Sequence, residues 1–84
     1  MSAVRDVVEV MARALADRPD AVKVTESEQR GLTVVDLLVA PADVGKIVGR
    51  QGRTAAALRT LVAATAEHHG HEAKLEILDP PSKG

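Results

Sequence analysis

The 84-residue chain carries 11 basic and 12 acidic side chains and contains no cysteine, phenylalanine, tyrosine or tryptophan. This length suits a single domain, and the missing cysteine excludes disulfides, thiolate metal sites and a cysteine nucleophile. Without aromatic rings the core must be aliphatic. The chain also lacks the aromatic platform on which many single-strand binders stack bases.

The N-terminal segment predicts an amphipathic helix. Apolar residues recur at helical spacing from Val4 to Leu15, and Ser2 can serve as the N-cap. Pro19 ends this segment, because a proline disfavours the helical conformation at the residue before it, which here is Arg18.

Two strands of a hairpin are predicted next, over residues 21–28 and 32–40. Both runs are rich in β-branched and aliphatic residues, and Gly31 lies between them. The residues of the second strand expected to face the helices are Val35, Leu37 and Val39. Those expected on the opposite face are Val34, Asp36 and Leu38.

The second half of the chain predicts two further helices. Pro41 suits the first turn of a short helix over residues 41–48, and Asp43 suits its positive N-terminal end. A longer helix is predicted over residues 53–68. The residues expected to point inward from it are Ala55, Leu58, Leu61, Val62 and Thr65.

A final strand is predicted over residues 71–78, after Gly70 caps the preceding helix in a left-handed conformation. The order is then α-β-β-α-α-β, an α+β fold with a three-stranded mixed sheet and helices on one face. The last two strands should be parallel, because helices connect them. We predict one domain over residues 1–79 and a flexible tail over residues 80–84.

Charge is distributed unevenly along the chain. The formal net charge is −1, yet the region 41–66 holds four basic residues against one acidic residue, a local +3. A basic patch on an otherwise acidic domain is typical of a small anion-binding site. The charged residues of this region are Lys46, Arg50, Arg53 and Arg59 against Asp43.

Within this patch, Gly49-Arg50-Gln51-Gly52 separates the two predicted helices. A phosphate needs backbone N–H donors, space to approach and positive charge. The two glycines give space and conformational freedom, the following helix gives unpaired N–H groups, and Arg50 and Arg53 give charge. The sequence therefore predicts a loop that holds a nucleic-acid backbone.

The segment from Ala40 to Arg59, APADVGKIVGRQGRTAAALR, resembles the KH family, whose G-x-x-G loop between two helices clamps about four nucleotides. It is most similar to the small stand-alone KH proteins of bacteria. The resemblance extends over residues 2–78, and the element order is that of a type II KH domain. It implies binding of single-stranded RNA, with bases in a groove between the paired helices and the neighbouring strand. It also implies homodimers, a second KH protein as partner, and an RNA-chaperone or post-transcriptional role.

The predicted RNA-binding residues surround the loop. Arg50 and Arg53 are the expected phosphate contacts, Gln51 offers an amide, and Lys46 adds attraction one helical turn earlier. For Lys46, as for Arg59, a solvated charge is an equally open interpretation. The full predicted site is Lys46, Gly49, Arg50, Gln51, Gly52 and Arg53.

Other functions fit the sequence less well. The glycines do not lie directly on a strand-helix turn, as a dinucleotide fingerprint requires. His68 and His69 are neighbours that should point apart, so no metal or cofactor is predicted. No catalytic constellation is present, and a cytoplasmic binding protein is expected.

The remaining alternative is a dimerisation module with little RNA affinity. The apolar surface expected to be left uncovered on the far face of the sheet comprises Val34, Leu38 and Leu78.

Overall fold

The computed structural model describes residues 2–78, and its elements follow the predicted α-β-β-α-α-β order. Residues 1 and 79 and the predicted tail over residues 80–84 lie outside this range. Short 3-10 turns precede β1, α2 and α3. The elements are α1 (Ala3–Leu15), β1 (Lys23–Gln29), β2 (Leu32–Leu38), α2 (Val44–Val48), α3 (Arg53–His68) and β3 (Glu72–Leu78).

Helix α1 begins as the sequence predicts. The Ser2 side chain accepts a hydrogen bond from the Arg5 backbone N–H at 3.1 Å, which satisfies one of the first unpaired donors of the helix. The helix ends at Leu15, four residues before Pro19. A 3-10 turn, Pro19–Ala21, then delays the first strand to Lys23, two residues later than predicted.

The sheet has the strand order β1-β2-β3 and is mixed. Strand β1 pairs antiparallel with β2, from Lys23 opposite Leu38 to Gln29 opposite Leu32. Strands β2 and β3 pair in parallel, with Val35 opposite Leu75. The predicted parallel pairing is confirmed, since two helices connect these strands.

The core is aliphatic and lies between the helices and one face of the sheet. Val35 and Leu37 of β2 are fully buried, and Val39 directly after the strand is nearly so. The helix residues buried with them are Val4, Val8 and Ala12 of α1, Ile47 of α2, and Leu58, Val62 and Ala66 of α3.

Two expectations about side-chain burial are wrong. Val34, predicted to be uncovered on the far face, is only 6% exposed, because β2 is the central strand and both neighbouring strands flank this residue. In α3, Leu61 is 38% exposed while Ala66 is fully buried. The inward stripe of α3 therefore runs through Ala55, Leu58, Val62 and Ala66.

Helix α3 ends in a Schellman motif. The Gly70 N–H donates to the Glu67 carbonyl and the His71 N–H donates to the Ala66 carbonyl, each at 3.0 Å. Gly70 has a φ of +80°, so the predicted left-handed cap is confirmed. This turn reverses the chain into β3.

Candidate nucleic-acid interface

The segment before the loop is not one helix over residues 41–48. Pro41–Asp43 forms a 3-10 turn, and only Val44–Val48 is α-helical. Gly45 in α2 has open space where a Cβ would lie, so close packing does not explain this glycine. The short helix is held in place by Ile47, which is fully buried, and by the buried Asp43, which directly precedes the helix.

Asp43 lies at the start of α2, as predicted, but makes structural contacts that the sequence did not predict. Its carboxylate is 1% exposed and accepts the backbone N–H groups of Asp17 at 3.2 Å and Arg18 at 3.0 Å. These bonds attach the start of α2 to the segment after α1. The sequence signal, an acid near a helix start, equally suits an exposed side chain that interacts with the helix dipole.

Gly49 ends α2 in a conformation that requires glycine. Its φ of +78° and ψ of 172° lie in a region essentially restricted to glycine. A Cβ at this position would lie 2.2 Å from Thr54 Oγ1 and 2.6 Å from Thr54 Cβ. The loop therefore folds back closely on the first turn of α3.

The next residues turn the chain into α3. Arg50–Gly52 forms a 3-10 turn in which Gln51 (φ +58°, ψ 24°) and Gly52 (φ +73°, ψ 12°) are both left-handed. The Gly52 N–H donates to the Gly49 carbonyl at 3.1 Å. The Arg53 N–H donates to the Arg50 carbonyl, whereas the N–H groups of the next residues in the first turn of α3 have no acceptor inside the helix. The positive end of the 16-residue α3 thus lies at the loop.

Positive charge surrounds this helix start. The side chains of Arg50, Gln51 and Arg53 are exposed, and so is that of Arg59 further along α3. Within residues 2–78, the structure pairs none of the three arginines with a carboxylate. The structure brings Arg50, Gln51 and Arg53, all exposed, together with the half-buried Gly49 and Gly52 in one loop at the start of α3.

Lys46 differs from these arginines. Its Nζ donates to Asp17 Oδ2, and this hydrogen bond, together with the charges of Asp17 and Asp43, raises the pKa of Lys46 above its usual value. Of the two interpretations that the sequence left open for Lys46, contact or solvated charge, neither includes this ion pair.

The histidines at the end of α3 do not converge on a common point. His68 and His69 make an edge-to-face contact with ring centroids 5.3 Å apart, so the expectation that they point apart is wrong. His71 Nδ1 lies 3.3 Å from Thr33 Oγ1. Among residues 2–78, no three His, Cys, Asp or Glu side chains are arranged to hold a metal ion. In the same range, no helix combines the length and apolarity needed to cross a membrane.

An apolar groove lies between α1 and α3, on the side where Leu61 emerges. It encloses about 510 Å³ and begins at Thr54, beside the loop. Met11 on its α1 side is 37% exposed and Leu61 on its α3 side is 38% exposed. The other lining residues are Leu15, Thr54, Ala57, Leu58, Thr60 and Ala64.

Comparison with known proteins agrees with this geometry. A family model described as KhpA/KhpB, KH domain, matches residues 5–77. The chain belongs to the KhpA/KhpB family of KH domains. The resemblance drawn from Ala40 to Arg59 and the predicted KH fold are thereby confirmed.

Similar members of the KhpA/KhpB family are bacterial. The RNA-binding protein KhpA of Aquifex aeolicus is 47% identical over 79 residues, which cover 94% of this chain and all of that protein. The RNA-binding protein KhpA of Treponema pallidum is 47% identical over 74 residues, covering 88% and 92% of the two chains. That of Caldanaerobacter subterraneus is 44% identical over 73 residues, covering 87% and 97%.

Proposed function

We propose that this protein binds single-stranded RNA by holding phosphates at the Gly49–Gly52 loop, without catalysing a reaction. One observation supports the proposal above the others. The positive N-terminal end of α3, a turn bounded by two glycines and two exposed arginines all lie at the same place. RNA binding is also the activity in the names of the KhpA relatives.

Each residue of the loop has a separate role in this proposal. Arg50 and Arg53 contact phosphates, the backbone N–H groups of the loop that have no acceptor within the protein donate to phosphate oxygens, and Gln51 offers its amide. Gly49 and Gly52 allow the backbone conformation that exposes those groups. Lys46 on α2 is the third predicted basic contact, and it also makes an ion pair with Asp17.

Bases would follow the surface between α2, α3 and β3. Val44 of α2 and Ile77 of β3 are half-buried aliphatic residues packed against the core. Aliphatic surface without aromatic rings offers little stacking energy, so binding by one domain should be weak and directed to the backbone. A second copy of the chain or a KhpB-like KH protein would raise the affinity through multivalency. The proposed cellular role is that of a cytoplasmic RNA chaperone or post-transcriptional regulator.

The test is fluorescence anisotropy of a labelled single-stranded RNA. We expect the double variant Arg50→Asp, Gln51→Asp to weaken binding at least about tenfold, because two new carboxylates face the phosphates. The chain offers a matched control at the hairpin turn, where Gln29→Asp, Arg30→Asp makes the same chemical change. Equal loss in both variants, or no binding by the wild type, would refute the loop as the RNA site.

Salt dependence gives a second measure of the mechanism. Phosphate contacts by Arg50 and Arg53 alone predict a slope of about −1.4 for log affinity against log salt with a single strand, and a third contact by Lys46 would bring it to about −2. A slope near zero would contradict binding through the phosphate backbone.

The groove between α1 and α3 favours a second function, dimerisation. The far face of the sheet is a weaker candidate than the sequence predicted, since Val34 is buried and Leu38 is half-buried. Exposed Met11 and Leu61, together with the small residues Ala57 and Ala64, form a continuous apolar strip that a second copy can cover.

Sedimentation equilibrium tests this surface independently of RNA. We expect a dimer in the wild type and a monomer in Leu61→Asp. Val10→Asp is the matched control, because Val10 is 66% exposed on α1 and lies outside the groove lining. A monomeric wild type, or a Leu61→Asp variant that still dimerises, would exclude the groove as the interface.

A further inference from the structure

The four basic residues around the loop are not equivalent. Lys46 makes an ion pair with Asp17, whereas the structure pairs Arg50, Arg53 and Arg59 with no carboxylate inside residues 2–78. One of the positive charges counted in the basic patch is thus already neutralised by a residue 29 positions earlier in the chain.

The position of Asp17 is fixed by its backbone and not by its own side chain. Its N–H donates to Asp43 Oδ1, and Asp43 directly precedes α2, the helix that carries Lys46. The buried Asp43 carboxylate therefore holds Asp17 beside α2. Replacing the Asp17 carboxylate leaves this backbone hydrogen bond in place.

The ion pair between Lys46 and Asp17 is exposed to solvent, so another anion can replace Asp17. The Lys46 and Asp17 side chains are 46% and 72% exposed. Exposed ion pairs contribute about 0–1 kcal/mol, so an incoming phosphate can compete with Asp17 for the ammonium group. The hydrogen bond from Lys46 to Asp17 raises the pKa of Lys46, in agreement with a formed pair.

We propose that Asp17 limits the RNA affinity of the loop by neutralising Lys46, which contacts phosphate only when this ion pair opens. The inference rests on the proposed RNA-binding function and adds Asp17 as a residue that sets affinity. It follows that the wild type binds RNA less tightly than its basic residues allow.

The main test is Asp17→Asn, measured by anisotropy with the same labelled RNA. We expect binding about threefold tighter, the size of an exposed ion pair, and a salt slope steeper by about 0.7, the value for one added phosphate contact. Adding Lys46→Gln to this variant should restore the wild-type affinity and slope, because a neutral pair replaces a neutralised one. Tighter binding that persists in the double variant would overturn the proposal, and so would an Asp17→Asn variant that binds like the wild type.

Asp20→Asn is the matched control. Asp20 lies in the same connection between α1 and β1, and its carboxylate is 3.7 Å from Arg18 and not paired with Lys46. It makes the same change in net charge, so an equal gain in affinity would show that overall charge, and not Lys46, is responsible.

A measurement without RNA separates this inference from the proposed function. Titration of the Lys46 side chain by NMR should give a lower pKa in Asp17→Asn than in the wild type, and an unchanged value in Asp20→Asn. Equal values in all three proteins would refute the ion pair even if RNA binds. A lowered pKa in Asp17→Asn without RNA binding by the wild type would confirm the pair but refute both the proposed function and the limit on affinity.

Discussion

Two turns of this protein both have two successive residues at positive φ, but they differ in what surrounds them. Arg30 and Gly31 between β1 and β2 have φ values of +53° and +81°, and Gln51 and Gly52 before α3 have +58° and +73°. Each turn places a long polar residue and then a glycine at positive φ. This pair of residues alone is therefore not a phosphate site.

The difference lies in the neighbours. The hairpin turn joins two strands, whereas the loop follows Gly49, which approaches Thr54 closely, and leads into a 16-residue helix. Only the second turn has a helix N-terminus and two nearby arginines. The candidate site therefore depends on the N-terminus of α3 and on Gly49. Gln51 and Gly52 connect these two features.

The largest expected effect on stability is that of Gly49→Ala. The new Cβ would overlap Thr54 and impose strain at positive φ, so we expect a loss of about 3 kcal/mol in the free energy of unfolding. Urea denaturation measures this loss. Gly45→Ala is the control on the same short helix, with open space and no positive φ, and should stabilise the domain by about 0.5–1 kcal/mol. Equal stability of both variants would contradict the close approach to Thr54.

Asp43→Asn should give the next largest effect. The amide has one acceptor oxygen where the carboxylate accepts two backbone N–H groups, so one partly buried donor loses its partner. We expect a loss of about 2 kcal/mol, measured by urea denaturation. An unchanged midpoint would show that these hydrogen bonds do not hold α2 in place.

Gly31→Ala and Gly52→Ala should cost similar amounts, about 1 kcal/mol each, because both glycines have positive φ and open space around the missing Cβ. Equal losses would support positive φ with open space as the condition that both glycines share. A loss at Gly52 that is several times larger would instead assign this glycine a packing role. In the same variants, RNA binding should weaken only for Gly52→Ala.

Glu28→Gln should have the smallest effect. Thr33 Oγ1 donates to Glu28 Oε2 at 3.2 Å beside the hairpin turn, and the amide oxygen of glutamine can accept the same bond. We expect a change within about 0.5 kcal/mol, as for most surface substitutions. If Glu28→Gln lowered the free energy of unfolding as much as Asp43→Asn, the exposed carboxylate would matter as much to stability as the buried one, contrary to this expectation.

Local sequence signals predicted much of the fold and the outline of the site. Ser2 as N-cap, the Gly70 cap and the bounds of α3 were predicted correctly, because each depends on neighbouring residues only. The G-x-x-G loop belongs to the same class, since its glycines and the helix after it are adjacent in sequence. Whether its residues bind RNA stays a prediction.

The spacing of apolar residues predicted burial less reliably where both faces of an element carry apolar side chains. In α3, Leu61 was expected to point inward but is exposed, and buried Ala66 was not among the expected inward residues, because α1 covers one side of that helix and leaves the groove with Met11 open. In β2, alternation assigned Val34 correctly to the far face but not its burial, which depends on the strands on either side.

By itself, the sequence determined the order of the elements, the aliphatic core and the loop with its arginines, since these follow from residue type and short-range spacing. Only the tertiary structure decided that Asp43 is buried against the backbone after α1, and that Lys46 is neutralised by Asp17. Both contacts join residues more than 20 positions apart. Their energy depends on burial and geometry, which no local pattern encodes.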